Sequence, residues 1–365
     1  MKKVIDYQPQ GDYRLIVISD VHGHYDHLQG LLEKVTLQDQ DYLVLLGDFI
    51  NKGPDSYKTL QMVRKLSNRE RTFILKGNHE INIQNVMASL DRFKDVYHLL
   101  ENEYSENLFH AIFKSSGLST RDYKSQEDHY HCLLKDYQED FDFIQKLPII
   151  LNFDQFRLVH GGYSEGLCLD TQEREFLKFD DFNSKSKVQD KTTILGHWPA
   201  CLLKSDHLSN LPYFNSDKNL IFIDGGMGVK SSAELNALVI TRTQDAYTYQ
   251  TIQYNTFEPK TIVATFDHPS EDKIHVNYPH YTFDIIDKGP LTSRCYHHHS
   301  QKYFSIFTDL IMEYEGQWVP KLDFVNHYLS PSLGTEVLLC QAFDHYSLVK
   351  YKDEFGWVMN QQINV

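Results

Sequence analysis

Five short apolar runs in this sequence each end in a side chain able to bind a cation or move a proton. Arg14 to Ser19 leads into Asp20-Val21-His22-Gly23, Tyr42 to Leu46 into Gly47-Asp48, and Arg71 to Lys76 into Gly77-Asn78-His79-Glu80. Phe156 to Val159 leads into His160-Gly161-Gly162, and Thr192 to Leu195 into Gly196-His197. Taken singly, Asp20 or Asp48 is an ordinary turn or helix-cap residue. Packing alone does not explain the whole series, because the carboxyl ends of strands are where open α/β sheets place their ligand sites.

Asp20, His22, Asp48, Asn78, His160 and His197 offer oxygen and nitrogen donors and no thiolate. That inventory suits Mn²⁺, Fe or Zn²⁺ and is too rich in nitrogen for a calcium cage. Six side chains exceed the needs of one ion that keeps an open position. They suit two ions, about 3.5–4 Å apart, sharing a bridging carboxylate, an arrangement that clamps the attacking and leaving oxygens of a displacement at phosphorus. Phosphoester hydrolysis is therefore the expected reaction, with a water made acidic between two cations as nucleophile and a protonated imidazole as acid.

The elements that position these residues follow from periodicity. A strand over 14–19 and a helix over Tyr25 to Val35, apolar at Leu28, Leu31, Leu32 and Val35, make a βα unit. The Asp48 strand, a helix over Asp55 to Leu66 with Pro54 as its start signal, and a strand over 71–76 complete βαβαβ. Parallel pairing with right-handed crossovers puts the three strand ends on one edge, where Asp20, His22, Asp48 and Asn78 converge. Residues 80–147 lack a strand-like run, and amphipathic stretches such as Glu106 to Phe113 and Tyr137 to Leu147 predict a helical insertion over the rim.

Strand signals return at 148–160, with a turn in Asn152-Phe153-Asp154-Gln155, and residues 164–190 read as polar and irregular. Leu220 to Ile223, Leu235 to Ile240 and Tyr247 to Tyr254 are expected to form a second, more antiparallel sheet packed on the first. The pattern loosens around Asn255 to Lys260. The expected division is a catalytic domain over 1–258 and a small β-rich domain over 259–365. The latter should hold strands at Val337 to Cys340 and Tyr346 to Tyr351, and an aromatic-rich helix at Tyr303 to Tyr314. His297-His298-His299 reads as a solvated loop, because no carboxylate pattern surrounds it. Glu80 reads as a helix-start residue.

Composition narrows the partners. Of 365 residues, 41% are hydrophobic and 24% charged, enough for a large core and against wholesale disorder. The formal net charge of −14 repels a polyanion, which excludes duplex nucleic acid as an expected partner. Cys132, Cys168, Cys201, Cys295 and Cys340 are odd in number and lack a Cys-x-x-Cys pair, so a reducing cytoplasm is expected and a zinc ribbon is not. Neither a signal-like apolar stretch behind Lys2-Lys3 nor an 18-residue apolar run is present, so no membrane association is expected.

The ordered blocks around Asp20, Asp48, Asn78, His160 and His197 resemble the signature of the calcineurin-like metallophosphoesterases. They are most similar to its phosphoprotein-phosphatase branch, which includes bacterial serine/threonine phosphatases and symmetrical dinucleoside-tetraphosphate hydrolases. Asp224-Gly225-Gly226 with Leu235-Asn236-Ala237-Leu238 is similar to that branch's closing segment. The resemblance covers roughly residues 14–240 and leaves the tail outside. It implies an α/β fold, a two-sheet αββα sandwich with the helical insertion, and two divalent ions per chain, Mn²⁺ and/or Fe with Zn²⁺ as the alternative. It further implies that Asp20 and His22 hold the first ion, that Asp48 bridges, and that Asn78, His160 and His197 hold the second, with Asn78 also near substrate. His79 is implied as the acid for the leaving oxygen.

Two departures bear on chemistry. Where the family's loop after the bridging aspartate has Asp and Arg, this chain has Asn51 and Lys52. Asn51 orients an imidazole without stabilising its charged form as a carboxylate does, and Lys52 offers phosphate a point charge in place of a bidentate fork. The family's second phosphate-gripping arginine is also missing from Leu177-Lys178-Phe179-Asp180-Asp181-Phe182, which leaves Arg174 as the only arginine between His160 and His197 and a candidate substrate contact. The expected function is a dinuclear metal-dependent phosphoester hydrolase, a serine/threonine-type phosphoprotein phosphatase or a phosphomonoesterase. Hydrolysis of dinucleoside polyphosphates is the alternative. A reading of another class is a catalytically degenerate metal-binding protein that contacts a protein partner through its C-terminal domain.

Overall fold

In the computed structural model the strand Tyr13–Ile18 is buried along nearly its whole length, with Leu15 and Val17 facing one way and Ile16 and Ile18 the other. A strand covered on both faces reads as a continuous apolar run, which is why 14–19 shows no polar alternation. The structure describes residues 3–100, 106–163, 169, 172–266 and 272–365, so Cys168 and parts of the expected insertion and irregular stretch lie outside the described residues. The chain divides into two compact units, one of Met1–Pro199, Pro212–Val229 and Glu234–Tyr254, the other of Ala200–Leu211, Lys230–Ala233 and Asn255–Val365.

In the first unit the elements run β1 (Val4–Tyr7), β2 (Tyr13–Ile18), α1 (Tyr25–Val35), β3 (Tyr42–Leu46), α2 (Ser56–Ser67) and β4 (Thr72–Leu75). The helices α3 (Asn78–Met87), α4 (Leu90–Asp95), α5 (Tyr97–Leu100), α6 (Leu108–Ser116) and α7 (Gln126–Lys146) follow. Then come β5 (Ile150–Phe153), β6 (Phe156–Val159), α8 (Glu173–Leu177), α9 (Phe182–Lys185), β7 (Thr192–Leu195), β8 (Tyr213–Asn215), β9 (Leu220–Phe222), β10 (Leu235–Thr243) and β11 (Ala246–Tyr254).

Among the described residues one sheet has the order β11-β10-β2-β3-β4, parallel from β2 to β4, and the other β1-β5-β6-β7-β9-β8, with β6, β7 and β9 parallel. Leu15, Val17, Val44 and Leu46 from the first sheet pack with Leu151, Phe156, Leu158 and Ile194 from the second. Each such side chain contributes about 1.5–3 kcal/mol on full burial.

The structure corrects two expectations. β10 and β11 do not join β9 in a second sheet. β10 pairs antiparallel with β2, Ala237 opposite Ile18 through Arg242 opposite Tyr13, and so extends the first sheet. Alternation identifies a strand but carries no information about which sheet edge is free to receive it. In the second unit, Tyr303 to Tyr314 is not a helix: Lys302–Phe307 and Ile311–Tyr314 are strands. Tyr303 is exposed while Phe304 and Ile306 are buried, a period of two suited to aromatic residues in a half-buried sheet.

The second unit, described by itself, has a four-stranded sheet with Glu336–Ala342 and Tyr346–Tyr351 at its centre and a five-stranded sheet that contains Thr292–His297. Phe304, Phe324, Tyr346, Phe355 and Trp357 fill its core. His297 closes its strand with Nε2 2.6 Å from the His280 carbonyl and Nδ1 2.9 Å from the Ser300 hydroxyl, while His298 and His299 are exposed. No helix among the described residues is long and apolar enough to cross a membrane.

The helices between 78 and 146 enclose a buried imidazole. His129 stacks on Tyr123 at 4.0 Å, lies edge-on to Phe93, and has Nδ1 3.1 Å from the Tyr97 hydroxyl, while its Nε2 has no partner. Burial lowers its pKa to about 4. Because the unfolded value is about 6.5, the unfolded chain binds the extra proton between those limits. Stability is therefore present above about pH 6.5 and lost as pH falls toward 4. His129→Phe is expected to flatten that acid loss, read as amide exchange in α6 and α7 between pH 7 and 4. An unchanged acid limb would assign it to other groups.

Candidate metal centre

The ligand loops are locked to one another before any side chain is considered. Backbone N–H groups of Asp20, His22 and Gly23 donate to the carbonyls of Gly47, Asp48 and Phe49 at 2.9–3.1 Å, which extends the β2–β3 pairing beyond both strands. Across to the other sheet, the His197 N–H donates to Asp20 Oδ2 at 3.0 Å, and His160 Nδ1 lies 2.8 Å from the Leu46 carbonyl. Asp20, His22, Asp48, Asn51, Lys52 and His197 all have φ between 48° and 66°, the left-handed region. Such conformations cost energy in non-glycine residues and persist where the surroundings over-determine them. Glycine is required at 77 and 196, where a Cβ would sit 2.2 Å from Asp48 Oδ1 and 2.4 Å from Asp20 Oδ2.

Two clusters of electron-pair donors share one atom. His22 Nδ1 faces the Ile50 carbonyl at 3.4 Å, which assigns its proton there and leaves the Nε2 lone pair pointing at Asp20 Oδ1 and Asp48 Oδ2, both at 3.8 Å. His160 Nδ1 is engaged by Leu46, which leaves Nε2 facing Asn78 Oδ1 at 3.2 Å and the same Asp48 Oδ2 at 3.3 Å. Acceptors facing acceptors at these separations need a proton or a cation between them. His197 has Nε2 2.9 Å from Asp180 Oδ1, so its Nδ1 lone pair remains available, and it shares a possible ion position with Asp48 and His160. Among the described residues, the groupings close enough to share an ion are this one and His22, Asp48 and His79.

Charge balance supports the same conclusion. Asp20, Asp48, Glu80 and Asp224 are each at most 2% exposed. Burial, with the charge of Asp48 behind it, pushes Asp20 up to about 6 and Glu80 up to about 8. Burial and Asp20 hold Asp224 well above the carboxylate range. Burial also drives the other way on imidazoles, taking His22 well below its ordinary value and His197 to about 4. For His160 burial is outweighed by Asp48 and Asp20, and its pKa rises to about 10. The cluster lacks positive charge and takes it from His160. Divalent cations fit the donor set and the deficit alike, and Asp48, common to both groupings, is the residue the two would share.

Asn51 and His79 form a defined pair. Asn51 Oδ1 accepts the Leu108 N–H at 2.8 Å, which fixes the amide and turns its NH₂ toward His79 Nδ1 at 3.1 Å. His79 Nδ1 is then the acceptor and Nε2 carries the proton. Burial, partly opposed by Asp48, lowers the pKa of His79. Lys52 is half-buried with Nζ 3.5 Å from His22 Nε2, and its N–H donates to the Glu106 carbonyl at 2.6 Å. Arg174 is exposed on α8, and among the described residues no hydrogen bond or ion pair joins its side chain to the cluster. Lys178, just beyond α8, lies close enough to His79 to help depress its pKa.

Three participants escape a reading of the sequence. Glu80, expected only as a helix-start residue, is fully buried and accepts the N–H groups of Asp48 and Gly77 at 2.8 Å and of Phe49 at 3.1 Å. Its place three residues after Gly77 signals the bond to Gly77 but not those to the Asp48 loop. Asp224 ends β9 as Asp48 ends β3, a signal that was present in the strand-end pattern. Asp180 supports His197 from a loop with no periodicity to reveal it.

Two sheets packed face to face, with a His and Asp donor cluster at their strand ends, set the frame for a metal-dependent hydrolase. The profile of the calcineurin-like phosphoesterases matches residues 13–224, and the chain belongs to that family. It is 28% identical over 156 residues to a symmetrical bis(5′-nucleosyl)-tetraphosphatase of Vibrio parahaemolyticus, covering 42% of this chain and 47% of that one. It is 42% identical over 82 residues to the same-named protein of Buchnera aphidicola, covering 22% and 29%. The matches thus span about half, or less, of the length of these curated relatives. Similar solved structures include a cold-active protein-tyrosine phosphatase of a Shewanella species (15% identical, 68% and 82% covered, TM-score 0.42) and a serine/threonine phosphatase of Saccharomyces cerevisiae (12% identical, 70% and 85% covered, TM-score 0.39).

The shared Asp48 oxygen makes a stoichiometric prediction. Metal-reconstituted protein is expected to hold two ions per chain and Asp48→Asn fewer, by elemental analysis. One ion per chain in both proteins would contradict a shared carboxylate. Asp180→Asn, which loosens the orientation of His197, is expected to weaken metal binding by about 10–100-fold in a calorimetric titration.

Proposed function

We propose that this chain is a dinuclear metal-dependent phosphoester hydrolase that acts on small phosphorylated substrates of the nucleotide type. The observation that carries the reading is the pair of donor clusters meeting at Asp48 Oδ2. Asp20, His22 and Asp48 would hold the first ion, and Asp48, Asn78, His160 and His197 the second, with Mn²⁺ and/or Fe favoured by the donor set and Zn²⁺ the alternative. When bound, the ions polarise phosphoryl oxygens and make water nucleophilic near neutral pH.

The chain's own residues supply the rest. His79 would act in its protonated form, passing its Nε2 proton to the leaving oxygen and reverting to neutral imidazole, and the Asn51 amide, which donates to Nδ1 of that neutral ring, orients it without stabilising the charged form. Lys52 and Lys178 present ammonium charges to the phosphoryl group, and neither provides the two parallel donors of a guanidinium. Ground-state affinity for a bare phosphomonoester is therefore weak, and binding energy comes from remote parts of the substrate. The tetraphosphatase names of the curated relatives support a nucleotide substrate over a phosphoprotein.

Turnover of para-nitrophenyl phosphate, a phosphopeptide and diadenosine tetraphosphate, each with Mn²⁺, tests the proposal. The tetraphosphate is expected to have the highest kcat/KM, and failure of all three would leave a metal-binding protein without hydrolase activity. His79→Ala is expected to slow substrates with poor leaving groups by about 10²–10⁴ and good ones much less, with metal content unchanged. Asn51→Asp, which gives His79 Nδ1 an anionic partner, is expected to favour poor leaving groups relative to good ones. Equal effects on phenyl and nitrophenyl phosphates would remove His79 from the acid role.

A further inference from the structure

A cavity of about 510 Å³ lies against the segments that carry the second-ion ligands, lined in part by Arg157, Tyr163, Phe179, Lys185, Ser186 and Lys187. Tyr163 is three residues beyond His160, so its Cα lies within about 11 Å of that ligand's. Phe179 is the neighbour of Asp180, whose carboxylate bonds His197. The cavity and the metal centre are therefore built on the same two stretches of chain. We infer that this cleft is a nucleoside-binding subsite, taking the base and adjoining phosphate of a nucleoside polyphosphate whose scissile phosphorus reaches the metal centre. The inference rests on the hydrolase reading above and adds the substrate's remote half.

Charge is the first argument. Arg157, Lys185 and Lys187 face a single lining carboxylate, Asp190, in a chain of net charge −14. A locally cationic cleft in an acidic protein concentrates anions where the rest of the surface repels them. Lys185 Nζ donates at 3.4 Å to the carbonyl of Asp180, the residue whose carboxylate bonds His197. The second argument is the aromatic wall: Phe179 is half-buried and leaves ring surface for a base to stack on, beside a Tyr163 ring capped by the Arg157 guanidinium.

That wall is preorganised. Arg157 is held by both Asp190 oxygens, at 2.7 and 3.3 Å, and sits 5.1 Å over the Tyr163 ring, whose hydroxyl bonds Gln189. Phe179 packs edge-on to Phe182 at 5.2 Å. A volume of this size suits a nucleotide.

Lys185→Glu and Phe179→Leu test the subsite. Lys185→Glu reverses one charge, and Phe179→Leu keeps bulk against Phe182 while removing the π face. Each is expected to raise KM for diadenosine tetraphosphate by about tenfold or more, the effect of one lost base-stacking or phosphate contact, while kcat/KM for para-nitrophenyl phosphate stays at the wild-type value. Binding of adenosine 5′-monophosphate to chelator-treated protein, followed by NMR shifts of the cleft amides, reads the subsite without turnover. It is expected to weaken in both variants. If the wild type hydrolyses nothing yet binds the nucleotide here, the hydrolase reading fails and the subsite stands. The subsite is overturned if the nucleotide leaves the cleft amides unshifted. Equal losses on both substrates, or sensitivity of a phosphopeptide in place of the nucleotide, also overturn it.

Discussion

The carboxylate of Glu80 is the fastening on which the metal centre depends. It is fully buried, and its two oxygens take N–H groups from both sides of Asp48 and from the turn that opens α3. With Glu80 in place, the chain leaving β3 and the chain leaving β4 are tied together, and Asp48 and Asn78 have no freedom to separate. Asp48 Oδ1 returns the favour by accepting the His79 N–H at 2.8 Å, which leaves Oδ2 for the two donor clusters. A hydrogen-bonded network of this kind is rigid because every alternative leaves buried backbone N–H groups without partners in a low-dielectric interior.

That rigidity explains how the loops sustain their backbone strain. Six left-handed residues, Asp20, His22, Asp48, Asn51, Lys52 and His197, lie in the loops of the donor cluster, where side chains turn to one side of the strand end. A relaxed extended loop sends alternate side chains to opposite faces. The cost is met by backbone bonds between the β2 and β3 loops and by the two bonds that cross to the other sheet. The same bonds explain the glycines at 77 and 196, which let carboxylate oxygens approach the backbone more closely than a Cβ permits.

The helical insertion does more than cover the rim. Leu108 fixes the amide of Asn51, and Glu106 takes the N–H of Lys52, so the acid-side loop takes its orientation from a helix more than fifty residues away. Lys76 works in the same way on the opposite side: buried, it joins β4 to Gln84 in α3, to the end of α7 and to Glu173 in α8. The segment that carries Lys178, Phe179 and Asp180 is thereby referred to the same sheet as Asp48.

Much of this was legible in the sequence because it depends on local order. The apolar runs, the helices α1 and α2 at their expected positions, and the family signature from Asp20 to His197 are properties of short stretches, and the ligand types name the chemistry. The tertiary structure decided what depends on pairing partners. It placed β10 and β11 beside β2, because the free edge of a sheet exists only once the sheet has formed. It turned Tyr303 to Tyr314 into strands, because burial on alternate positions needs a second layer. The tautomers of His22, His79 and His160 were set by carbonyls and an amide distant in sequence. Glu80 and Asp180 likewise have roles that no local pattern records, since what each holds in place belongs to another part of the chain.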